Sequence, residues 1–211
     1  MATATTTPTE PIKDAPASSL RPYVMTVDVY DRIVAAGVFG DKSRIFLWNG
    51  QLVEKVADMT KNPPHIFAAG ELDELLGDLV RGQGYFVQQE QPVVLGNRNE
   101  PEPDLKCVRG RRRDYLGRKP TAADCPLVVE IADSSLRDDR VEMLQVYAAG
   151  GIPSYWIVNL PARRIDAYTG PSGPADPPGY TEHRAYGPDE SVPVVLDGRE
   201  LGRIAVRDVL P

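Results

Sequence analysis

The chain has 211 residues, 42% of them hydrophobic, a formal net charge of −6, two cysteines and two histidines. That length suits one domain with a sizeable core. The negative balance excludes a general attraction to nucleic acid, and Cys107 and Cys125, without metal-type spacing and with only His65 and His183 for imidazoles, argue against a zinc centre.

Residues 1–20, "MATATTTPTEPIKDAPASSL", are rich in Thr, Ala and Pro and are expected to form a disordered arm ahead of a single domain over 21–211. No segment has the apolar core of a signal peptide or the roughly 20 apolar residues of a membrane span, so a soluble, cytoplasmic protein without a membrane partner is expected. "TVDVYDRIVAAG" predicts a short helix capped by Thr26 or Asp28. "RIFLWNGQLVEKV" predicts a hairpin turning at Asn49-Gly50. "NPPHIFAAGELDELLGDLVRG" predicts a helix with Asn62 as cap, Pro63 in the first turn, Gly82 past the end and an apolar stripe of Ile66, Leu72, Leu75, Leu76 and Leu79.

Strands follow at "YFVQQEQPVVL", "PDLKCV" and "PLVVEIA", then a helix from near Leu136, stopped by Gly150-Gly151. Next come "SYWIVNL", a central strand with Trp156 and Val158 on one face, and "RRIDAYTG". "GPSGPADPPG" reads as a loop, and "YTEHRAYG", "SVPVVL" and "GRIAV" as further strands before a short C-terminal turn. Strands outnumber helices, so the expected class is α/β (α+β), a curved mixed β-sheet flanked by helices.

Glu130 stands inside the otherwise apolar "LVVEIA". A carboxylate buried without a partner costs on the order of 5 kcal/mol, so the fold must supply a cation, a metal or a proton. Alternation places Asp104 and Lys106 on one face of their strand, and Val128, Glu130 and Ala132 on one face of theirs. If the strands are neighbours the two carboxylates converge, and a magnesium ion with a scissile phosphate and waters suits such a pair. The plainer alternative is a turn aspartate and a glutamate paired with an arginine from a covering helix.

A second feature is "RGRRRDYLGRK", residues 109–119, with six cations: Arg109, Arg111, Arg112, Arg113, Arg118 and Lys119. It reads as a phosphate-contacting loop or as a solvated surface loop.

The ordered segments "NGQLVEK", "KNPPH", "PEPDL", the basic loop, "LVVEIADSSL", "DDR", "YAAGGIPSYWIVNL", "RRIDAYTG" and "VLDGRELGRIAV" resemble the restriction-endonuclease family called Uma-two, of the PD-(D/E)XK nuclease superfamily, from about Arg44 to the C-terminus. The resemblance implies a restriction-endonuclease-like fold, with Asp104 and Glu130 as ligands of Mg2+ (or Mn2+) in a site that hydrolyses phosphodiester bonds in DNA. By analogy it implies a homodimer.

Two departures matter. The superfamily's lysine lies two residues after the second acid, here Ala132, or in many family members on the next helix, at a position aligning with Met143. Many members also carry a glutamate where this chain has Phe46. Taking 100° per residue after Asp139, Arg140 falls with Leu144, Tyr147 and Ala148 on the inward stripe, which makes it one substitute cation; Lys106 is the other. Arginine would act as an electrostatic clamp, whereas lysine could serve closer to the usual role. Met143 reads as a core-edge side chain, His65 as a first-turn or surface histidine, Glu90 as a strand-end cap or a third carboxylate, and Glu54 and Lys55 as exposed strand polarity or the edge of the cleft.

Two functional expectations follow: a metal-dependent DNA endonuclease with catalytic residues Asp104, Glu130, Lys106 and Arg140, or an inactive nuclease fold serving as a nucleic-acid-binding or assembly module.

Overall fold

Asn49 and Gly50 take positive φ angles of 47° and 75°, as a type I′ turn requires. They close β1 (Ile45–Trp48) onto β2 (Gln51–Glu54). Space is tight here as well, because a Cβ at Gly50 would crowd Val24 and meet the Met25 carbonyl oxygen at 3.0 Å. The computed structural model describes residues 21–40, 45–54, 62–133 and 139–211, with 139 and 140 by backbone alone. The expected arm at 1–20, Lys55 and the helix start at Leu136 lie outside the described residues.

The first helix, α1 (Val27–Ala35), begins after Thr26, whose side chain makes no capping bond. The second, α2 (Pro63–Val80), begins where the sequence placed it, with the Asn62 side chain accepting from the His65 N–H.

Six strands form one sheet in chain order: β3 (Tyr85–Gln89), β4 (Leu105–Arg109), β5 (Leu127–Ala132), β6 (Ser154–Asn159), β7 (Arg164–Pro171) and β8 (Tyr180–Tyr186). Neighbours are antiparallel except β5 and β6, which are parallel. Parallel neighbours need a crossover. It includes a π-helical turn, Asp139–Met143, that continues as α3 (Leu144–Gly150) and ends at Gly151, φ 78°. This is the mixed sheet with helices expected from the order of elements.

Every residue of β5 and β6 is buried, because layers cover both sheet faces. On one face, Ala68, Leu72, Leu76 and Val80 of α2 pack with the hairpin β9 (Ser191–Leu196) and β10 (Arg199–Ala205) and with α4 (Val206–Val209) against Leu105, Val129, Ile131, Trp156 and Val158. On the other, Met143, Val146, Tyr147 and Ile152 pack against Val128, Ala132, Tyr155 and Ile157. No helix among the described residues is long and apolar enough to cross a membrane.

Two expectations are corrected. Ile66 is 56% exposed rather than part of the buried stripe. The buried row steps by four from Ala68, and a residue two positions earlier points about 200° away from it. "YFVQQEQPVVL" is a strand only to Gln89, since Glu90 turns to φ 48° and Pro92 has no N–H for a ladder.

Candidate active site

β4 and β5 pair with Leu105 opposite Val129 and Lys106 opposite Val128. One step beyond the start of β4, the same register sets Asp104 beside Glu130. The Asp104 N–H donates to Glu130 Oε2 at 3.4 Å, and Asp104 Oδ2 accepts from the Ile131 N–H at 2.7 Å. The second bond uses a β5 amide past the end of the β4 ladder, so the carboxylate takes the place of a missing strand carbonyl. Glu130 is 2% exposed, and the fully buried Tyr147 donates its O–H to Oε1 at 2.7 Å. Two donors thus meet the two oxygens of a carboxylate that burial would otherwise penalise by several kcal/mol.

Lys106 shares the sheet face of Asp104 and is completely buried. Its Nζ donates to the Gln91 carbonyl. Burial pushes its pKa down to about 8, against smaller opposite pulls from Cys125, Glu102 and Glu130. Arg140 belongs by backbone to the π-helical turn, and its side chain lies outside the described residues. A π turn holds more residues than an α turn, so the uniform 100° wheel does not run through residues 139–143. Ala132 and Met143, the two places where a lysine would be expected, are buried in the same apolar cluster. Phe46 packs edge-on against Trp48 at 5.9 Å.

His65 comes to the same strand end from α2. Its Nε2 lies 3.3 Å from Asp104 Oδ1. Sequence reasoning gave it little weight, although "KNPPH" was one of the segments shared with the family. Tyr147 was placed only on an inward stripe; a tyrosine facing a strand glutamate was the available signal.

The basic run is largely engaged within the fold. Arg109 pairs through Nε and Nη2 with Asp197 in the β9–β10 turn, Arg118 pairs with Asp124 at 2.6 Å, and Lys119 reaches both Asp31 and the buried Glu100. Arg112 donates to the Val87 carbonyl at 2.9 Å, and Arg111 lies 3.5 Å from Asp114. Arg111, Arg112 and Arg113 remain exposed. The run also begins at the far end of β4, five residues or roughly 17 Å from Asp104.

Asp124 organises the close of this run. It accepts from Arg118, from the Thr121 N–H and O–H at 2.9 Å each, and from the Tyr115 O–H at 3.1 Å. The Arg118 guanidinium, followed by these donors, holds its carboxyl well below the usual range. Asp124→Ala is expected to cost on the order of 1 kcal/mol at neutral pH. As pH falls the unfolded chain takes up this proton first, so the contribution is complete above about pH 4 and fades below it. Urea melts of parent and variant from pH 7 to pH 3 check this: their difference should shrink toward the acid end.

Among the described residues, no group of three His, Cys, Asp or Glu side chains stands close enough to hold an ion by itself. Zinc usually takes at least three such protein ligands. Two adjacent carboxylates fit instead a hard ion of the magnesium or manganese kind, which keeps waters and accepts phosphate oxygens.

Residues 27–206 match the model of the Uma2 family, described as "Putative restriction endonuclease". Among solved structures, the chain resembles a "putative nuclease belonging to DUF820" from Anabaena variabilis ATCC 29413, with a TM-score of 0.62 and 15% identity over 88% of this chain and 97% of that one. At that identity the likeness is one of fold. No curated protein matches the chain.

Proposed function

Since this chain belongs to the Uma2 family, we propose that it is a metal-dependent DNA endonuclease in which Asp104 and Glu130 hold a magnesium or manganese ion. The observation that carries this reading is the pairing of Asp104 and Glu130 on adjacent strands at the sheet end, where the Asp104 N–H donates to the carboxylate of Glu130, itself 2% exposed. Bound there, the ion would polarise a phosphodiester and lower the pKa of a water.

The chain's own groups do the rest. The Tyr147 O–H fixes the Glu130 carboxylate, and the Ile131 N–H fixes that of Asp104. Lys106 places a cation on the same sheet face, where it supplies positive potential toward charge that develops on phosphate. Arg140 is the second candidate for that role. Arg111, Arg112 and Arg113 would follow the DNA backbone at a distance from the cut, contributing affinity without sequence preference. Pairing of two copies would let both strands be cut.

Incubation of supercoiled plasmid with the purified protein and Mg2+ or Mn2+ tests this. Nicked and linear products are expected, absent with EDTA and absent with Asp104→Ala purified in the same way. Equal products from parent and variant would overturn the reading. One observation favours the second reading, an inactive nuclease fold that binds or assembles: both lysine positions are filled by buried apolar side chains. It predicts no cleavage with either metal.

A further inference from the structure

Asn62 faces two ways. Its Oδ1 accepts from the His65 N–H at 3.0 Å, which caps α2, and its Nδ2 donates to Asp133 Oδ2, one residue past the end of β5. One amide therefore ties the first turn of α2 to the strand that carries Glu130. Pro63 and Pro64 pre-set the backbone between cap and His65. The turn delivers the imidazole to the strand end, where its side chain is 15% exposed.

Hydrophobic burial does not explain that placement, since the next two residues, Ile66 and Phe67, are 56% and 43% exposed. Nor does a satisfied hydrogen bond. Nε2 is buried and makes none, although Asp104 Oδ1 lies 3.3 Å away, within ion-pair range but poorly aligned. A buried nitrogen left so is a net cost to folding. An apolar side chain would be cheaper there if folding were the sole requirement.

We propose that His65 is a positioning residue for the metal site: its Nε2–H holds Asp104 through Oδ1 in the orientation that presents the carboxylate to the ion. This rests on the reading of Asp104 as a ligand. The carboxylate accepts at Oδ2 from the Ile131 N–H. A donor at Oδ1 acts on the other oxygen and so fixes the plane of the carboxylate. Such bonds are often long before the ion and substrate arrive and tighten afterwards. Loss of an outer partner of this type typically weakens metal affinity about 10–100-fold.

The test is Mn2+ binding to the full chain, read from the electron paramagnetic resonance signal of free Mn2+. His65→Ala is expected to bind about 10–100-fold more weakly than the parent, and His65→Gln, whose amide puts a donor near the place of Nε2, to recover most of the loss. Asp104→Asn and Glu130→Gln are expected to lose the site. In plasmid cleavage, His65→Ala should need more Mn2+ for half-maximal rate while approaching the parent rate at saturation. Parent-like Mn2+ affinity in His65→Ala, or no recovery in folded His65→Gln, would overturn the role of His65 and leave the ligand pair standing. Parent-like affinity in Asp104→Asn and Glu130→Gln would instead overturn the ligand pair.

Discussion

Glu130→Gln is expected to abolish metal-dependent cleavage, by about 10³-fold or more, while leaving the fold intact. The amide keeps the shape of the side chain and an oxygen that can accept from the Tyr147 O–H, as Oε1 does now at 2.7 Å. What it loses is the negative charge that would hold a divalent ion. Because Glu130 is 2% exposed, a neutral amide is cheaper to bury than a carboxylate. The amide NH2 cannot accept from the Asp104 N–H as Oε2 does, which offsets that gain, so the melting temperature of the metal-free variant should stay within a few degrees of the parent's. A fall of 10³ in rate corresponds to about 4 kcal/mol of lost transition-state stabilisation. Measuring loss of supercoiled plasmid together with thermal melts separates the two effects. A folded Glu130→Gln protein that cuts at the parent rate would remove this carboxylate from the chemistry.

Lys106→Met is the second large effect, and it separates stability from function. The parent lysine is fully buried, with its pKa pushed down to about 8 mainly by burial. An unfolded chain titrates lysine near 10.4, so at pH 7 the folded state bears a cost on the order of 3 kcal/mol for keeping this charge. The bond from Nζ to the Gln91 carbonyl offsets about 1 kcal/mol of it. Methionine removes the cost at similar volume, so Lys106→Met is expected to melt at or a few degrees above the parent.

The pH dependence has a definite direction. Between about 8 and 10.4 the unfolded chain holds the proton that the folded lysine has released, so this group makes the parent more stable as pH rises through that window. In Lys106→Met, melts in EDTA should lack that rise. If Lys106 supplies the proposed positive potential, cleavage should fall about 10²-fold with its loss. A stable Lys106→Met protein that cuts normally would transfer the cation's role to Arg140, and Arg140→Met should then show the loss.

Local chemistry made much of the fold legible. Asn49-Gly50 specified a hairpin because few residue pairs accept two positive φ angles, and Asn62 with Pro63 specified a helix start because cap and ring both suit a first turn. Period-two alternation placed Asp104 and Lys106 on one face and Glu130 on another strand's, so a single assumption of adjacency was enough to bring the carboxylates together. The observed register supports that adjacency.

What the sequence hid depends on long-range partners and on departures from ideal geometry. The basic run read as a phosphate-contacting or solvated loop because two of its partners are remote: Asp197 is 88 residues from Arg109, and Asp31 is 88 from Lys119. The π turn at Asp139–Met143 defeats a uniform helical wheel, so the placement of Arg140 over Glu130 does not follow from spacing. Ile66 looked like core because it is apolar, but the face that α2 buries runs through Ala68, Leu72, Leu76 and Val80. His65 was legible as a residue of the first turn and illegible as a neighbour of Asp104, since that contact requires the N-terminus of α2 to be tied to the end of β5.

The ligand pair is tested most directly by anomalous diffraction from crystals grown with Mn2+. The expected result is a manganese peak within bonding distance of carboxylate oxygens from both Asp104 and Glu130, absent from Glu130→Gln crystals. Manganese bound elsewhere, with the two carboxylates held only by protein groups in fully loaded crystals, would contradict it.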